Sequence, residues 1–320
     1  MSPSLRASLL LLSLSACSPD PSPAPGPETP APADAGTPPA SPDAGSDAGT
    51  DAGTDAGTPP ATGPESSRGS GKLPCARTGT LASGGQTYAY CVAEVAGVEL
   101  KIFEPVAASP EAPLHLAVYL HGDGARTYTN DTAPRAHAPW AATHGTLYIA
   151  ARALNGCAWW TRPSLTACTD EAPPSERDLE GAGAAALVKV IEEVRAGWDI
   201  LNDAPLLLGG SSGGSVFLTA SFLPRYGQRY PAVYALACGG EASWTGALAW
   251  NPAQPGALGP TKLVYTYGTK DDYLADIEAS VAFYRERAFP LTETRLPDLG
   301  HCAFDHVGGV KDVWNAALAP

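Results

Sequence analysis

The chain is predicted to fold as an α/β domain, a mostly parallel central sheet with helices on both faces. Three observations carry that expectation. From Lys72 onward, short apolar runs alternate with segments of helical periodicity, the pattern of strands joined by crossover helices. One run, Leu206–Leu208, is apolar at every position, as befits a strand buried on both faces. All 7 Trp, 12 Tyr and 6 Phe lie after residue 71, so one long segment holds the material for a core.

In order, Val98–Phe103, His115–Leu120 and Thr146–Ala151 read as strands. Between Asp178 and Trp198, apolar residues at Leu179, Ala186, Leu187, Val190, Ile191, Val194 and Trp198 keep a spacing of three and four. Lys189, Glu192, Glu193 and Arg195 fill the other side, so a helix is expected. Pro205–Leu208 is the next strand, followed by a helix over Gly213–Leu223 that Pro224 should stop. Ala232–Ala237 and Lys262–Tyr267 complete the strands, and a last helix falls near Gly309–Leu318.

The first 71 residues are of another kind. They contain no aromatic residue, and Ser18–Gly71 holds 13 Pro and 9 Gly in 54 positions. Asp-Ala-Gly recurs five times, at Asp34, Asp43, Asp47, Asp51 and Asp55. Such a stretch cannot bury enough apolar surface to offset its ordering entropy, and it is expected to be disordered. At this length its root-mean-square span is roughly 40 Å. Ahead of it, Arg6 and the apolar run Ala7–Ala16 fit a secretory signal too short to span a bilayer. Leu14-Ser15-Ala16-Cys17 resembles the bacterial lipoprotein signal, in which the cysteine is lipidated. The division expected is a signal over 1–16, a lipid-anchored spacer over 17–71 and a folded domain over 72–320. The chain would be exported and held by lipid at the bacterial envelope, with the outer membrane or cell surface favoured.

The formal net charge is −13. Residues 1–71 carry 2 basic and 8 acidic side chains, the remainder 18 and 25. No basic stripe interleaved with aromatics exists, which excludes a nucleic-acid partner, and membrane attachment should be covalent rather than electrostatic. Composition also excludes coiled-coil, collagen and polytopic membrane classes. With Cys17 assigned to lipid, six cysteines remain. An even count in an exported domain points to disulfides, and sequence proximity favours Cys75–Cys91, Cys157–Cys168 and Cys238–Cys302. No Cys-x-x-Cys pair is present, so neither a metal site nor a cofactor is expected.

The strongest chemical signal is Leu206-Leu-Leu-Gly209-Gly210-Ser211-Ser212-Gly213-Gly214, a strand entering Gly-x-Ser-x-Gly and then a helix. Ser211 between Gly209 and Gly213 and Ser212 between Gly210 and Gly214 both fit. Ser211 directly continues the apolar strand and is the expected nucleophile. A serine needs a base oriented by a carboxylate. Asp271, just past the strand ending at Gly268, is favoured as the acid over Asp272. His301 and His306 are the only histidines after the serines. His301, in a glycine-led loop beside Cys302, is favoured as the base. Two backbone donors should hold an oxyanion, one at Ser212 and one at Asp123 in the loop after Leu120, with the Asp123 side chain turned away. His121 reads as a structural residue of that loop.

Together, His121-Gly122, the serine elbow, Gly268-Thr-Lys-Asp271 and Gly300-His301 resemble the α/β-hydrolase serine esterases. They are most similar to the secreted polyhydroxybutyrate depolymerase and feruloyl or acetylxylan esterase group. Cys157-Ala-Trp159-Trp160 resembles a Cys-Trp loop of that group, and Trp159 and Trp160 are candidate substrate-binding residues. The resemblance implies a monomeric α/β-hydrolase that cleaves carboxylic esters, small or polymeric, through an acyl-serine. Peptidase or amidase chemistry on the same triad, and a non-catalytic surface-binding lipoprotein, are the other readings. Gly181-Ala-Gly183 loosely matches a dinucleotide fingerprint but follows a helix start instead of a strand, so small-residue packing is expected there.

Overall fold

The computed structural model describes residues 65–69, 71–105, 112–165 and 174–319. The chain divides into two units, Met1–Pro59 and Pro60–Pro320, and the described residues belong to the second. The expected signal, Cys17 and all but the end of the spacer lie outside them, as does Cys168. Ordered contact begins earlier than the expected boundary at 72. Ser66 bridges Leu201, Ser67 N donates to Ile200 O at 2.8 Å, and the Ser67 hydroxyl donates to Trp198 O at 2.8 Å.

Nine strands form one sheet: β1 (Arg77–Ser83), β2 (Gln86–Val95), β3 (Val98–Phe103), β4 (His115–Leu120), β5 (Thr146–Arg152), β6 (Leu206–Ser211), β7 (Ala232–Ala237), β8 (Lys262–Gly268) and β9 (Leu291–Leu296). Their spatial order is β1-β2-β3-β5-β4-β6-β7-β8-β9. The first three strands are antiparallel and β5 through β9 run parallel with β4 among them. The helices are α1 (Arg126–Thr129), α2 (Thr132–Thr143), α3 (Ala182–Gly197), α4 (Gly213–Phe217), α5 (Leu223–Tyr226), α6 (Leu274–Glu286) and α7 (His306–Ala317). A mostly parallel sheet in this order, with a strand–serine–helix turn after its central strand, is the α/β-hydrolase fold.

The sheet's period of two sorts the core into two layers. Leu116, Val118, Leu120, Leu206, Leu208, Tyr234 and Leu236 point to one face, where they meet α3 and α6. Ala117, Tyr119, Leu207, Val233 and Ala235 point to the other, against α2 and α7. Trp314 of α7, fully buried, lies where a Cβ on Gly209 would come within 2.5 Å of its ring.

Several elements differ from the sequence expectation. The β1–β2 hairpin turns at Gly84 and Gly85, with φ of 58° and 78°, a two-residue turn that glycine permits. Strands β1 and β9 lie at the two sheet edges and are mostly exposed or half-buried, so neither carries an apolar run. Helix α3 starts after Asp178, not at it. The Asp178 carboxylate accepts from Gly181 N at 3.0 Å and Gly183 N at 2.7 Å, capping a helix entered through Gly181 at φ 81°. Gly183 faces Phe217 at 3.2 Å from a would-be Cβ, so this pair serves packing. Nor does Pro224 stop the helix after β6. A wide π-turn over Leu218–Phe222 follows α4, and Pro224 then falls at the start of α5, where a missing N–H costs little.

His137 of α2 is fully buried in the layer shared with α7, accepting from Tyr148 Oη at 3.1 Å and donating from Nε2 to Val307 O at 2.9 Å. Burial pushes its pKa down to about 4. An unfolded histidine titrates near 6.5, so between those values only the unfolded chain binds the proton. Stability is therefore full above about pH 6.5 and falls by a few kcal/mol as pH drops toward the folded value. Urea midpoints at about pH 7.5 and pH 4.5 should show this loss, and His137→Gln should make it smaller; an equal loss in the variant would exclude His137 as its source.

Candidate active site

The chemistry-bearing side chains stand at the carboxyl ends of the parallel strands, where ligands bind in open α/β sheets. Ser212 follows β6, Asp271 follows β8, His301 follows β9, and the 122–124 turn follows β4. Ser212 Oγ lies 2.9 Å from His301 Nε2. His301 Nδ1 lies 2.9 and 3.1 Å from the two oxygens of Asp271, whose side chain is fully buried. Asp271 Oδ1 also accepts from Tyr273 N at 3.0 Å. The ring of Tyr273 stands edge-on to His301 at 5.0 Å.

The structure thus pairs His301 with Ser212 and not with Ser211. Ser211 is the last residue of β6, still in register with Ala237, and only 2% exposed. Its hydroxyl is hydrogen-bonded to Tyr119 Oη at 2.8 Å, a phenol that burial pushes up to about 12. The strand runs three residues further than expected, through Ser211, and the sharp turn comes after it. Ser212 carries that turn at φ 50° and ψ −121°, a sparsely populated conformation that aims its side chain out of the sheet. Gly210 and Gly214 flank it for a physical reason. A Cβ on Gly210 would sit 2.6 Å from Gly214 C, and one on Gly214 would sit 2.4 Å from Leu120 O.

The expected oxyanion donor at Ser212 is also displaced. Its N–H donates to Ala237 O at 2.9 Å and belongs to the sheet. The next N–H, of Gly213, opens α4, where backbone donors have no partner within the helix. The turn after β4 lies alongside: a Cβ on Gly122 would be 3.2 Å from Ser212 Cβ. His121, fully buried, accepts from Ala153 N at 3.0 Å through Nε2, and Nδ1 donates to Gly122 O at 2.7 Å. Burial lowers its pKa to about 4, keeping it neutral. Gly122 O also accepts from Ala125 N at 3.1 Å, so this carbonyl is pinned from two sides. Across a trans peptide, the Asp123 N–H then points the opposite way.

The Asp123 side chain does not turn away as expected. Its two oxygens accept from Trp160 Nε1 at 3.0 and 2.9 Å, and a Cβ on Gly213 would meet Oδ1 at 1.9 Å. The missing side chain of Gly213 is what gives the carboxylate its place. Trp160 lines the cleft, but Trp159 does not: it is 2% exposed and packs on Phe217 at 5.3 Å in the core. The alternation along that loop sends one indole inward and the other to the site.

The cleft has a volume of about 970 Å³. Among its described lining residues Val216 is the one aliphatic side chain. Arg177 pairs with Glu241, whose other oxygen accepts from Trp244 Nε1 at 2.8 Å. Burial raises the Glu241 pKa, with the Trp244 hydrogen bond and Arg177 opposing it. Asp272 and His306 also line the cleft; the residues hydrogen-bonded in series with Ser212 are His301 and Asp271. Two expected disulfides are present, Cys75–Cys91 and Cys238–Cys302. Tyr273, Arg177 and Glu241 were not singled out in the sequence, and nothing in their neighbours marks them.

No protein-family model and no curated protein sequence matches the chain. Among solved structures it is similar to a thermostable esterase, at 15% identity and TM-score 0.47, over 76% of this chain and 60% of that one. It is also similar to an S-formylglutathione hydrolase from Agrobacterium tumefaciens, at 12% identity and TM-score 0.47, over 75% of this chain and 97% of that one. A third is acyl-protein thioesterase 2 of Zea mays, at 18% and 0.46, over 69% and 99%. The strand order and the elbow, not these likenesses, define the fold.

The geometry sets Ser212, and not Ser211, within hydrogen-bonding reach of His301. A fluorophosphonate probe should leave its adduct on the Ser212 peptide, and Ser212→Ala should abolish labelling while Ser211→Ala keeps it. An adduct mapped to Ser211 would reverse the assignment.

Proposed function

We propose that the chain is a serine hydrolase that cleaves carboxylic esters through an acyl-Ser212 intermediate. The observation that carries this reading is the continuous relay from Ser212 Oγ through His301 to buried Asp271, mounted on a strained elbow. His301 Nε2 takes the serine proton as Oγ attacks the ester carbonyl. Asp271 fixes the tautomer with Nδ1 protonated and stabilises the imidazolium that forms. The tetrahedral oxyanion is held by the Gly213 N–H, at the positive end of α4, and by the Asp123 N–H oriented through His121 and Gly122. His301 then protonates the departing alkoxide, and in the second half it deprotonates the water that releases the acid.

The lining, with Val216 its one described aliphatic side chain beside the Trp160 and Tyr273 rings, supports esters with short or ring-bearing groups. Polyester and cell-wall-type esters are the substrate classes that the resemblance puts forward. We also infer export, which the two disulfides support, since such bridges persist in oxidising compartments, and attachment through Cys17, which rests on the resemblance of Leu14–Cys17 to a lipoprotein signal. Cys17→Ser should then lose incorporation of labelled palmitate and move the protein from the membrane pellet to the soluble fraction. Retention in the pellet without label would refute the anchor.

Hydrolysis of short p-nitrophenyl esters tests the chemistry. Asp271→Asn should lower kcat by about 10⁴. His121→Ala should lower kcat by as much as about 10²–10³ with KM little changed, the signature of a lost oxyanion donor. Absence of ester hydrolysis by the folded, probe-reactive protein would direct attention to amide substrates.

A further inference from the structure

The Cys238–Cys302 bridge adjoins the proposed base: Cys302 follows His301 directly, and its Sγ lies 3.8 Å from His301 Nε2. A third group closes on the same point. Both sulfur atoms and a ring nitrogen of His306 lie within 4.8 Å of one another, and among the described residues no other three His, Cys, Asp or Glu side chains gather so closely.

We propose that this bridge conceals a redox-gated site for a soft, tetrahedral d¹⁰ ion of the zinc class. On reduction it is formed by Cys238, Cys302 and His306, with His301 as the fourth ligand.

The spacing suits such an ion. Zinc bonds of about 2.3 Å to sulfur and 2.0–2.1 Å to nitrogen put tetrahedral ligand atoms roughly 3.5–3.8 Å apart. In the oxidised protein the two sulfurs are bonded to each other, the His306 nitrogen lies within 4.8 Å of both, and His301 Nε2 stands 3.8 Å from the Cys302 sulfur. Once the covalent bond is gone, side-chain rotation of the two cysteines supplies the remaining adjustment. His306 has the outer partner that metal-bound histidines use: Nδ1 donates to Phe304 O at 3.2 Å, which fixes the tautomer with a lone pair on Nε2. All four residues border the cleft; Cys238 is fully buried, and the bridge is approached through the half-buried Cys302. The Cys75–Cys91 bridge, joined to the β1–β2 edge, has no histidine gathered with it in this way.

The chemistry balances. A dithiol or phosphine reductant supplies two electrons, and with two protons the disulfide becomes two thiols. The divalent ion displaces the two thiol protons, so cation plus two thiolates carry no net charge. Two neutral imidazoles complete the tetrahedron. Binding withdraws His301 Nε2 from Ser212, and the loss of activity that follows rests on the ester-hydrolase reading. The binding itself does not, and the two can fail separately.

The test uses the full chain, reduced with a phosphine that is then removed under anaerobic conditions. Cobalt(II) should give one equivalent of thiolate-to-metal charge-transfer absorption, displaced by zinc, and absent from the unreduced protein. His306→Ala should weaken zinc binding by more than the roughly 10–100-fold lost with an outer-shell partner, whereas the Cys75→Ser, Cys91→Ser double variant should bind as the parent does. Each variant's ester hydrolysis, referred to its own reduced zinc-free rate, should fall with bound zinc and return on chelation. Absence of the charge-transfer band in reduced, folded protein would overturn the proposal, as would binding that survives His306→Ala or vanishes in the Cys75/Cys91 variant. Zinc bound with the band present and activity unaffected would remove His301 from the ligand set.

Discussion

The site depends on one constraint: the chain must reverse at Ser212 while strand β6 and helix α4 remain in van der Waals contact. A non-glycine residue at φ 50° and ψ −121° costs on the order of 1–3 kcal/mol. Packing on every side holds it there. Gly210 touches the first turn of α4, and Gly214 touches the end of β4. A Cβ on Gly239, past the end of β7, would come within 2.4 Å of Ser212 O. Three strand ends thus close on one peptide, and glycine is the residue that lets each approach. The same approach sets the Ser212 hydroxyl against a histidine delivered from β9, and a flatter turn would leave those two side chains on different levels of the sheet.

Around that elbow, burial does electrostatic work that the sequence does not display. His121 and His137 are both enclosed and both kept neutral, with pKa values near 4. A neutral imidazole has one donor and one acceptor, and in each case both are used by fixed groups. Protonation at His121 would break its acceptance from Ala153 N, and with it the geometry that pins the Gly122 carbonyl. His301 differs in being 27% exposed at its side chain and open to the cleft, where a proton can be exchanged. The fold separates the two enclosed histidines that brace the backbone from His301, which is hydrogen-bonded to Ser212 and open to the cleft.

The parallel sheet, the central strands and the order of serine, acid and histidine were legible because each rests on local pattern: an apolar run, a periodicity, a glycine beside a polar residue. The choice between Ser211 and Ser212 was not. Gly209, Gly210, Gly213 and Gly214 are all tightly packed, but only Gly210 and Gly214 are so because of the elbow. Gly209 makes room for Trp314 of α7, and Gly213 makes room for Asp123. Both partners are distant in sequence, so the two registers look alike until tertiary packing separates them. Trp159 and Trp160 are alike for the same reason, since adjacent indoles differ only in which way the loop turns. The edge strands were hidden because half their residues face solvent.

The cleft wall carries charges, yet few are offered singly to an incoming molecule. Arg177 is engaged by Glu241, and Glu241 in turn by the Trp244 N–H. Trp160 holds Asp123. A carboxylate satisfied this way has little incentive to capture a cation, and an arginine so engaged does not draw an anion strongly, because a ligand must first displace an existing partner. What remains at the surface is the Trp160 indole, the Tyr273 ring, 46% exposed beside His301, and the carboxylates of Asp272 and Asp276. Such a wall disfavours an anionic ligand and presents ring faces to a neutral one. In the proposed reaction that favours a neutral ester, and it leaves the elbow, not the wall, to supply the chemistry.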